Sequence, residues 1–336
     1  MADILEPTMT IIGCGSLGSA ILQRVLEAGE EQQLIRPSDS CNELPRHFLA
    51  CVRTAESASR LKNRFAAYVV ADDIAKPQKQ EQRARSIQVL FGRGRNVEAV
   101  RQSTVVILGC QPSHAADVVA EKGMADALRG KLVLNICAGI TDTVLWDLIC
   151  RQSPSGAAAV DRRRDEYYFV HAMPNPASCV GQSETILSPR PADFPLRYNA
   201  ITDWVFRCIG HVTELPPELM AAGTVTAGCA MGFLVPVLQG ITTGAKAAGL
   251  DGDVALRMAA QAIKGAAEMV LAQGKTPDDL VREVATPGGC TARGLAVLAD
   301  EQRTGNVAMA FEVAVKEAVA RIFELEAAFN VAGSEV

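Results

Sequence analysis

Aromatic residues make up only 5% of this 336-residue chain, so its core must be built mainly from Ala, Val, Leu and Ile. Histidine is as scarce, four in all and scattered, which excludes a zinc site of paired histidines. None of the ten cysteines is spaced as C-x-x-C. They are dispersed, and Cys14, Cys110 and Cys137 fall in apolar runs where cysteine acts as a small hydrophobe, the pattern of a reducing, intracellular and here cytoplasmic compartment. No basic excess exists either: the net charge is −5, which argues against nucleic acid because no basic face would neutralise phosphates. The N-terminal "MADILEPTMT" has no basic segment followed by an apolar stretch, so no signal peptide is visible. Charge is missing altogether from Leu219 to Ala245, 27 residues, longer than the roughly 20 a membrane span requires. Five glycines, Pro236, Gln239 and four threonines in that stretch favour a helix buried between subunits over a membrane span.

What is present is alternation. Apolar runs at 8–12, 47–52, 87–92, 104–110 and 131–139 read as strands, separated by helical patterns at 16–29, 56–65, 96–102 and 114–129. Continuous β-branched runs between helices predict an α/β fold, a Rossmann-like, doubly wound parallel sheet. The charged 71–86 and the polar 152–166 read as insertions. Beyond about residue 215 strands disappear, and spacing predicts helices over 254–274 and 306–326. The expected division is a dinucleotide-binding domain at 1–214 and an all-α domain at 215–330.

Between the first strand and first helix stands Gly13-Cys14-Gly15-Ser16-Leu17-Gly18, a G-x-G-x-x-G. Gly13 would allow the tight turn, Gly15 the approach of a pyrophosphate, and Gly18 the packing of helix on strand. The second strand ends not in an acid but in Arg53-Thr54. A guanidinium there can fork onto a ribose 2′-phosphate and Thr54 can donate to it, which favours NADPH over NADH, with NADH still possible. A solvated loop arginine is the competing reading of Arg53.

Five segments in order, "IIGCGSLGSAIL", "VILGCQPSHAADVV", "LVLNICAGIT", "HAMPNPASCVGQSETIL" and "VATPGGCTARGLAVL", resemble the pyrroline-5-carboxylate reductase family. The resemblance implies an N-terminal domain that binds NAD(P)H and a helical domain that dimerises. The active site would lie between the cofactor and a partner subunit's helices. It implies NADPH-dependent reduction of a small cyclic imine carboxylate, pyrroline-5-carboxylate or a substituted analogue, to proline or its analogue, by a homodimer or higher homo-oligomer without membrane or nucleic-acid partners. Thr286, Gly288, Gly289 and Cys290 would cradle the substrate carboxylate, and Thr291 would face the imine nitrogen. An ordinary N-cap by Thr291 is the structural alternative. Ser16 and Leu17 would flank the phosphates. Gln111-Pro112 and Ala138-Gly139 would stand at the carboxyl edge of the sheet, with Asn175 holding that edge or merely a turn. No metal is called for.

The chain also departs from the family pattern. "MPNPA" lacks a threonine, the family's "SGSGPAY" reads Ala227 to Phe233 with two hydroxyls and the proline gone, and the "KP" lysine is Gln111. A more apolar wall suggests an alkyl-substituted or larger cyclic imine. Two further readings stay open: a hydroxyacid dehydrogenase using Lys246 or Lys264, and an inactive NADPH-binding paralogue.

Overall fold

The computed structural model describes residues 7–34, 44–70, 85–92, 94–151 and 166–332. The segment 71–86 therefore lies outside the described residues up to 84, and 152–166 up to 165.

Eight strands form one sheet: β1 (Thr8–Ile12), β2 (His47–Val52), β3 (Ser86–Phe91), β4 (Val105–Leu108), β5 (Leu132–Asn135), β6 (Tyr168–Met173), β7 (Ser183–Leu187) and β8 (Gly210–Glu214). Their order is β3-β2-β1-β4-β5-β6-β7-β8. The first six are parallel. The expected all-parallel sheet stops there, because β7 runs antiparallel to β6 and β8 follows β7. A short connection through Pro176–Val180 joins β6 to β7, and such a link can only return the chain antiparallel.

Both faces of the sheet are covered, which is why the strands read as continuous apolar runs. Ile11, Val105, Ile107 and Leu132 point to one face and pack with α1 (Ser16–Leu34), α2 (Ala55–Arg64) and α7 (Leu196–Cys208). Their neighbours Ile12, Val106, Leu108 and Val133 point to the other, against α3 (Arg95–Arg101), α4 (Pro112–Val119), α5 (Met124–Leu128) and α6 (Asp142–Arg151). Phe206 of α7 is fully buried; Phe206→Ala is expected to lower stability by about 3–5 kcal/mol, measured by urea unfolding.

Two helical expectations change. Helix α1 continues past Gly29 to Leu34. The single helix expected over 114–129 is two, broken at Gly123, whose φ of 87° is left-handed.

By its internal contacts the chain forms two units, Met1–Gly228 with Arg321–Val336, and Cys229–Ala320. Residues 215–228 stay with the α/β unit although their composition matches the helical one. Met220, Ala221 and Val225 are buried there, Leu215 N donates to Leu187 O, and Asn175 Nδ2 donates to Ala227 O. In the second unit the longer helices are α8 (Val235–Ala247), α9 (Gly252–Gln273), α10 (Pro277–Val284) and α11 (Cys290–Leu298), followed by the start of α12 (Val307–Ala332). Among its described residues only Ala255 and Ala259 are buried, while Val235, Met258, Leu271 and Met309 are exposed, Leu271 by 79%. Pro217–Ala247 is long and apolar enough to cross a membrane by length and composition alone. A π-helical stretch, Val225–Cys229, interrupts it.

Candidate active site

Strand order reverses between β1 and β4, and in open α/β sheets ligands bind in the crevice at that switch point. The crevice here is an open cleft of about 1440 Å³, larger than the roughly 300–1,000 Å³ of pockets for drug-sized ligands. It suits an extended ligand.

The glycine loop forms one wall. Gly13 has a φ of 81° and sits so tightly against the end of β4 that a Cβ on it would lie 2.5 Å from Cys110 N. A Cβ on Gly18 would meet Ile11 Cγ2 at 3.1 Å, so that glycine lets α1 lie on β1. Gly15, by contrast, opens onto the cleft, with nothing nearer to its missing Cβ than Gly13 O at 4.0 Å. The first helical bond of α1 runs from Ser19 N to Gly15 O (2.9 Å), which leaves the amides of Ser16, Leu17 and Gly18 without intrahelical acceptors. Positive dipole and unused donors therefore meet at the cleft, a surface shaped for phosphate.

The end of β2 supplies the charge. Arg53, Thr54, Ser57, Arg60 and Arg64 all line the cleft. Thr54 caps α2 by accepting from Ser57 N (3.2 Å), and its hydroxyl donates to Ser57 Oγ (3.0 Å). Arg60 Nη2 donates to Ser57 Oγ (3.1 Å), and Arg64 is clipped to α1 through Ser19 Oγ (3.3 Å) and Gln23 Oε1 (2.6 Å). Arg53 is bound, not loose: its Nη1 lies 2.9 Å from His114 Nε2 on α4, across the cleft. The sequence reading missed Ser57, Arg60, Arg64 and His114. The first two could have been found, since a cap at Thr54 puts Ser57 and Arg60 on the same helical stripe.

The other expected residues divide. Gln111 lines the cleft and is the N-cap residue of α4, while Pro112 is the first residue of α4 and lies outside the lining. Ala138 is exposed and Gly139 buried in the turn after β5, and neither lines the cleft. Asn175 is buried: Oδ1 accepts from Ala177 N (2.9 Å) and Nδ2 donates to Ala227 O (2.9 Å). Its amide holds the turn after β6 and ties in the segment around Ala227, and it does not line the cleft.

Three cysteines were expected to be packing residues. Cys14 is buried, as is Cys51 beside it, and burial pushes both thiols up to about 12. Cys137 is buried too, but Cys110 is half-exposed and lines the cleft.

His171 on β6 is buried, and its Nε2 has no hydrogen-bond partner among the described residues. Burial pushes the imidazole down from the ordinary 6.5 to about 4. The folded state thus refuses a proton that the unfolded chain accepts, so this contribution is complete above pH 6.5 and is lost as the pH falls from 6.5 towards 4. At pH 5 the loss is about 2 kcal/mol relative to pH 7. Urea unfolding at the two pH values checks this, and His171→Gln should lack that share of the difference.

In the second unit, the loop 286–289 turns through Gly288 (φ 75°), and Gly289 N donates to Thr286 O (3.0 Å). Gly289 is the N-cap residue of α11, with no side chain capping it. Thr291 is the second residue inside that helix, so the alternative of an N-cap by Thr291 is overturned. The helix begins two residues earlier because Gly289 takes the extended φ, ψ of −72°, 170° that a cap requires. The opening amides of α11 are left for something else. Thr286, Gly288 and Cys290 are exposed, Thr291 half-buried.

Two known families match the chain in succession, the second starting within the α/β unit. Residues 8–139 match the family described as NADP oxidoreductase, coenzyme F420-dependent, and residues 217–325 the family described as pyrroline-5-carboxylate reductase dimerisation. A pyrroline-5-carboxylate reductase of Lophium arboricola is 34% identical over 310 residues, 91% of this chain and 90% of that protein. One from Neurospora crassa is 33% identical over 325 residues, 93% and 91% of the two. Among solved structures, a pyrroline-5-carboxylate reductase from Coxiella burnetii covers 95% of this chain and 98% of its own, with a TM-score of 0.68 at 20% identity, a likeness of fold. By sequence identity sustained from the glycine loop through the helical unit, the chain belongs to the pyrroline-5-carboxylate reductase family.

Proposed function

We propose that this protein reduces the cyclic imine pyrroline-5-carboxylate to proline with NADPH, as a homodimer or a larger homo-oligomer. The observation that carries this reading is 34% identity, over 91% of the chain, to a protein named for that reaction. The same names favour the unsubstituted imine over an alkylated or larger ring, and over the hydroxyacid and inactive alternatives.

When bound, the nicotinamide supplies the hydride that goes to the imine carbon. The protein's part is binding and placement. Amides of Ser16, Leu17 and Gly18 take the pyrophosphate at the positive end of α1. Arg53, Ser57 and Arg60 take the 2′-phosphate, so NADH binds in the same cleft with those contacts unused. In the helical unit, the exposed turn of Thr286, Gly288, Gly289 and Cys290 offers the uncapped amides of α11 to a small carboxylate. Thr291 Oγ1, one residue further in, then has the ring nitrogen within reach and fixes its orientation. A protonated iminium is already electrophilic, so no acid–base pair is needed beyond that.

The assay is oxidation of NADPH with pyrroline-5-carboxylate as acceptor, followed by absorbance of the reduced nicotinamide. Thr291→Ala is expected to reduce kcat/KM by roughly 10- to 100-fold, one hydrogen bond to a charged group. NADPH binding without turnover of this imine would sink the reading. The oligomer is checked separately: light scattering on the eluting protein is expected to give at least twice the chain mass, because the apolar helical surface of Val235, Met258 and Leu271 needs a partner.

A further inference from the structure

Two thiols stand side by side at the cleft, Cys110 in its wall and Cys137 buried behind it. Leu108 and Asn135 are partners in the β4–β5 register, and Ile136 N donates to Leu108 O (2.9 Å), carrying the ladder past its last paired position. Two residues on from each partner are Cys110 and Cys137, which therefore face one another across adjacent chains. Neighbouring strands lie about 4.7–4.9 Å apart, inside the roughly 4.4–6.8 Å between Cα atoms that a disulfide spans. The two Sγ atoms are 3.9 Å apart, and Cys137 Sγ lies within hydrogen-bond range of Leu108 O (3.3 Å) and Cys110 O (3.2 Å). Cys110 lines the cleft, whereas Cys137 is only 1% exposed.

We propose that Cys110 and Cys137 are a modification site for hydroperoxides, converted to an intramolecular disulfide that closes the cleft to its dinucleotide. The closure half rests on the cofactor reading given above; the thiol half does not. Access and acidity divide the labour. The hydrogen bond from Cys137 holds the Cys110 thiol below its ordinary range, and that same bond, with burial, pushes Cys137 up. Cys110 is thus the more acidic and the more accessible of the two thiols, the one that a peroxide entering the cleft meets first.

The chemistry balances in two steps. Cys110 sulfur attacks one peroxide oxygen, the O–O bond breaks, and the departing oxygen leaves as water or an alcohol with the thiol's proton. Cys110 is then a sulfenic acid, oxidised by two electrons. Cys137 sulfur attacks that sulfur, the S–O bond breaks, and hydroxide leaves as water with the Cys137 proton. Drawing the sulfurs together to about 2.05 Å pulls on a strand end that has no slack. The Cys110 backbone is the group a Cβ on Gly13 would strike at 2.5 Å, so movement there is transmitted to the phosphate loop. Conversely, a bound dinucleotide covers Cys110, and ligand and oxidation oppose each other reciprocally.

The test exposes the full-length protein to hydrogen peroxide with and without NADP⁺, blocks remaining thiols by alkylation, and maps peptides by mass. Expected is a cross-linked pair holding Cys110 and Cys137, lighter by two hydrogens and absent from Cys137→Ser and Cys137→Ala. NADP⁺ should slow its formation by about tenfold or more, and NADPH affinity should fall by a similar factor on oxidation and return with dithiothreitol. The mapping needs no variant, so a variant that fails to fold leaves the result readable. Recovery of alkylated Cys110 and Cys137 after the exposed Cys179 and Cys290 have been oxidised would overturn the site. Cross-linking with unchanged NADPH affinity would overturn the closure. Reduced protein that cross-links but never binds NADPH would overturn the cofactor reading and the closure with it, and would leave the thiol site standing.

Discussion

Replacing Arg53 and Arg60 together with alanine is expected to raise the KM for NADPH about a hundredfold while changing that for NADH little. Each guanidinium lines the cleft at the carboxyl end of β2, where a dinucleotide's adenosine ribose is held. A hydrogen bond to a charged group contributes about 1.5–3 kcal/mol. Both side chains are exposed, so the low end applies, and two such bonds give about 3 kcal/mol, close to two orders of magnitude. Being a charge effect at an exposed site, the difference should shrink as salt is added. Steady-state kinetics with both cofactors measures it. Equal losses for NADPH and NADH would mean that the arginines shape the cleft and do not read the 2′-phosphate. His114 gives a finer control: freeing Arg53 by His114→Ala should cost less than removing Arg53, since the charge remains.

Gly13→Ala is expected to damage stability and dinucleotide binding together. An L-residue at a φ of 81° costs about 1–2 kcal/mol. The added Cβ would also fall 2.5, 2.6 and 2.7 Å from Cys110 N, Cys110 Cα and Gly109 C, all backbone atoms that cannot swing aside. Relief requires β1 and β4 to part where the crevice opens, so a stability loss of about 3–4 kcal/mol should come with loss of measurable NADPH binding. Urea unfolding and a fluorescence titration of NADPH separate the two effects. Gly15→Ala is the contrast, because its Cβ enters open space: stability should hold while phosphate binding weakens.

The difference between those two glycines shows what could be read beforehand. The roles of Gly13 and Gly18 follow from the spacing of the motif between a strand and a helix, and the structure puts close backbone and side-chain contacts at both positions. Strand β2 was legible because Phe48 to Val52 is a continuous apolar run, and β3 because Ile87, Val89, Leu90 and Phe91 outweigh the single Gln88 among them. The break between α4 and α5 was not, since the residues around it keep helical spacing: α4 ends at Val119 with Ala120 as its cap, and Gly123, with its left-handed φ, starts α5. Strands β7 and β8 escaped altogether, because SETIL and GHVTE are short and interrupted by polar residues, and the reversal at β7 follows from the length of its connection, which strand composition does not record. Site residues brought by long-range packing were the hardest. Arg53 was visible at a strand end, but His114 is 61 positions away and meets it only because β2 and β4 flank β1. Asn175 was assigned to an edge that it holds from behind, through Ala227. The helix start at Gly289 was misplaced because threonine is the usual cap and glycine a less common one.

Among its described residues the helical unit buries two alanines and leaves Leu271 and Met309 open to water. Folding such helices alone returns little of the chain entropy they surrender. In the proposed oligomer their free energy of folding would therefore depend on protein concentration, and dilution would act on them as heat does on the sheet. A substitution on that surface would be recorded as a loss of stability in dilute solution and would go unnoticed in a concentrated one.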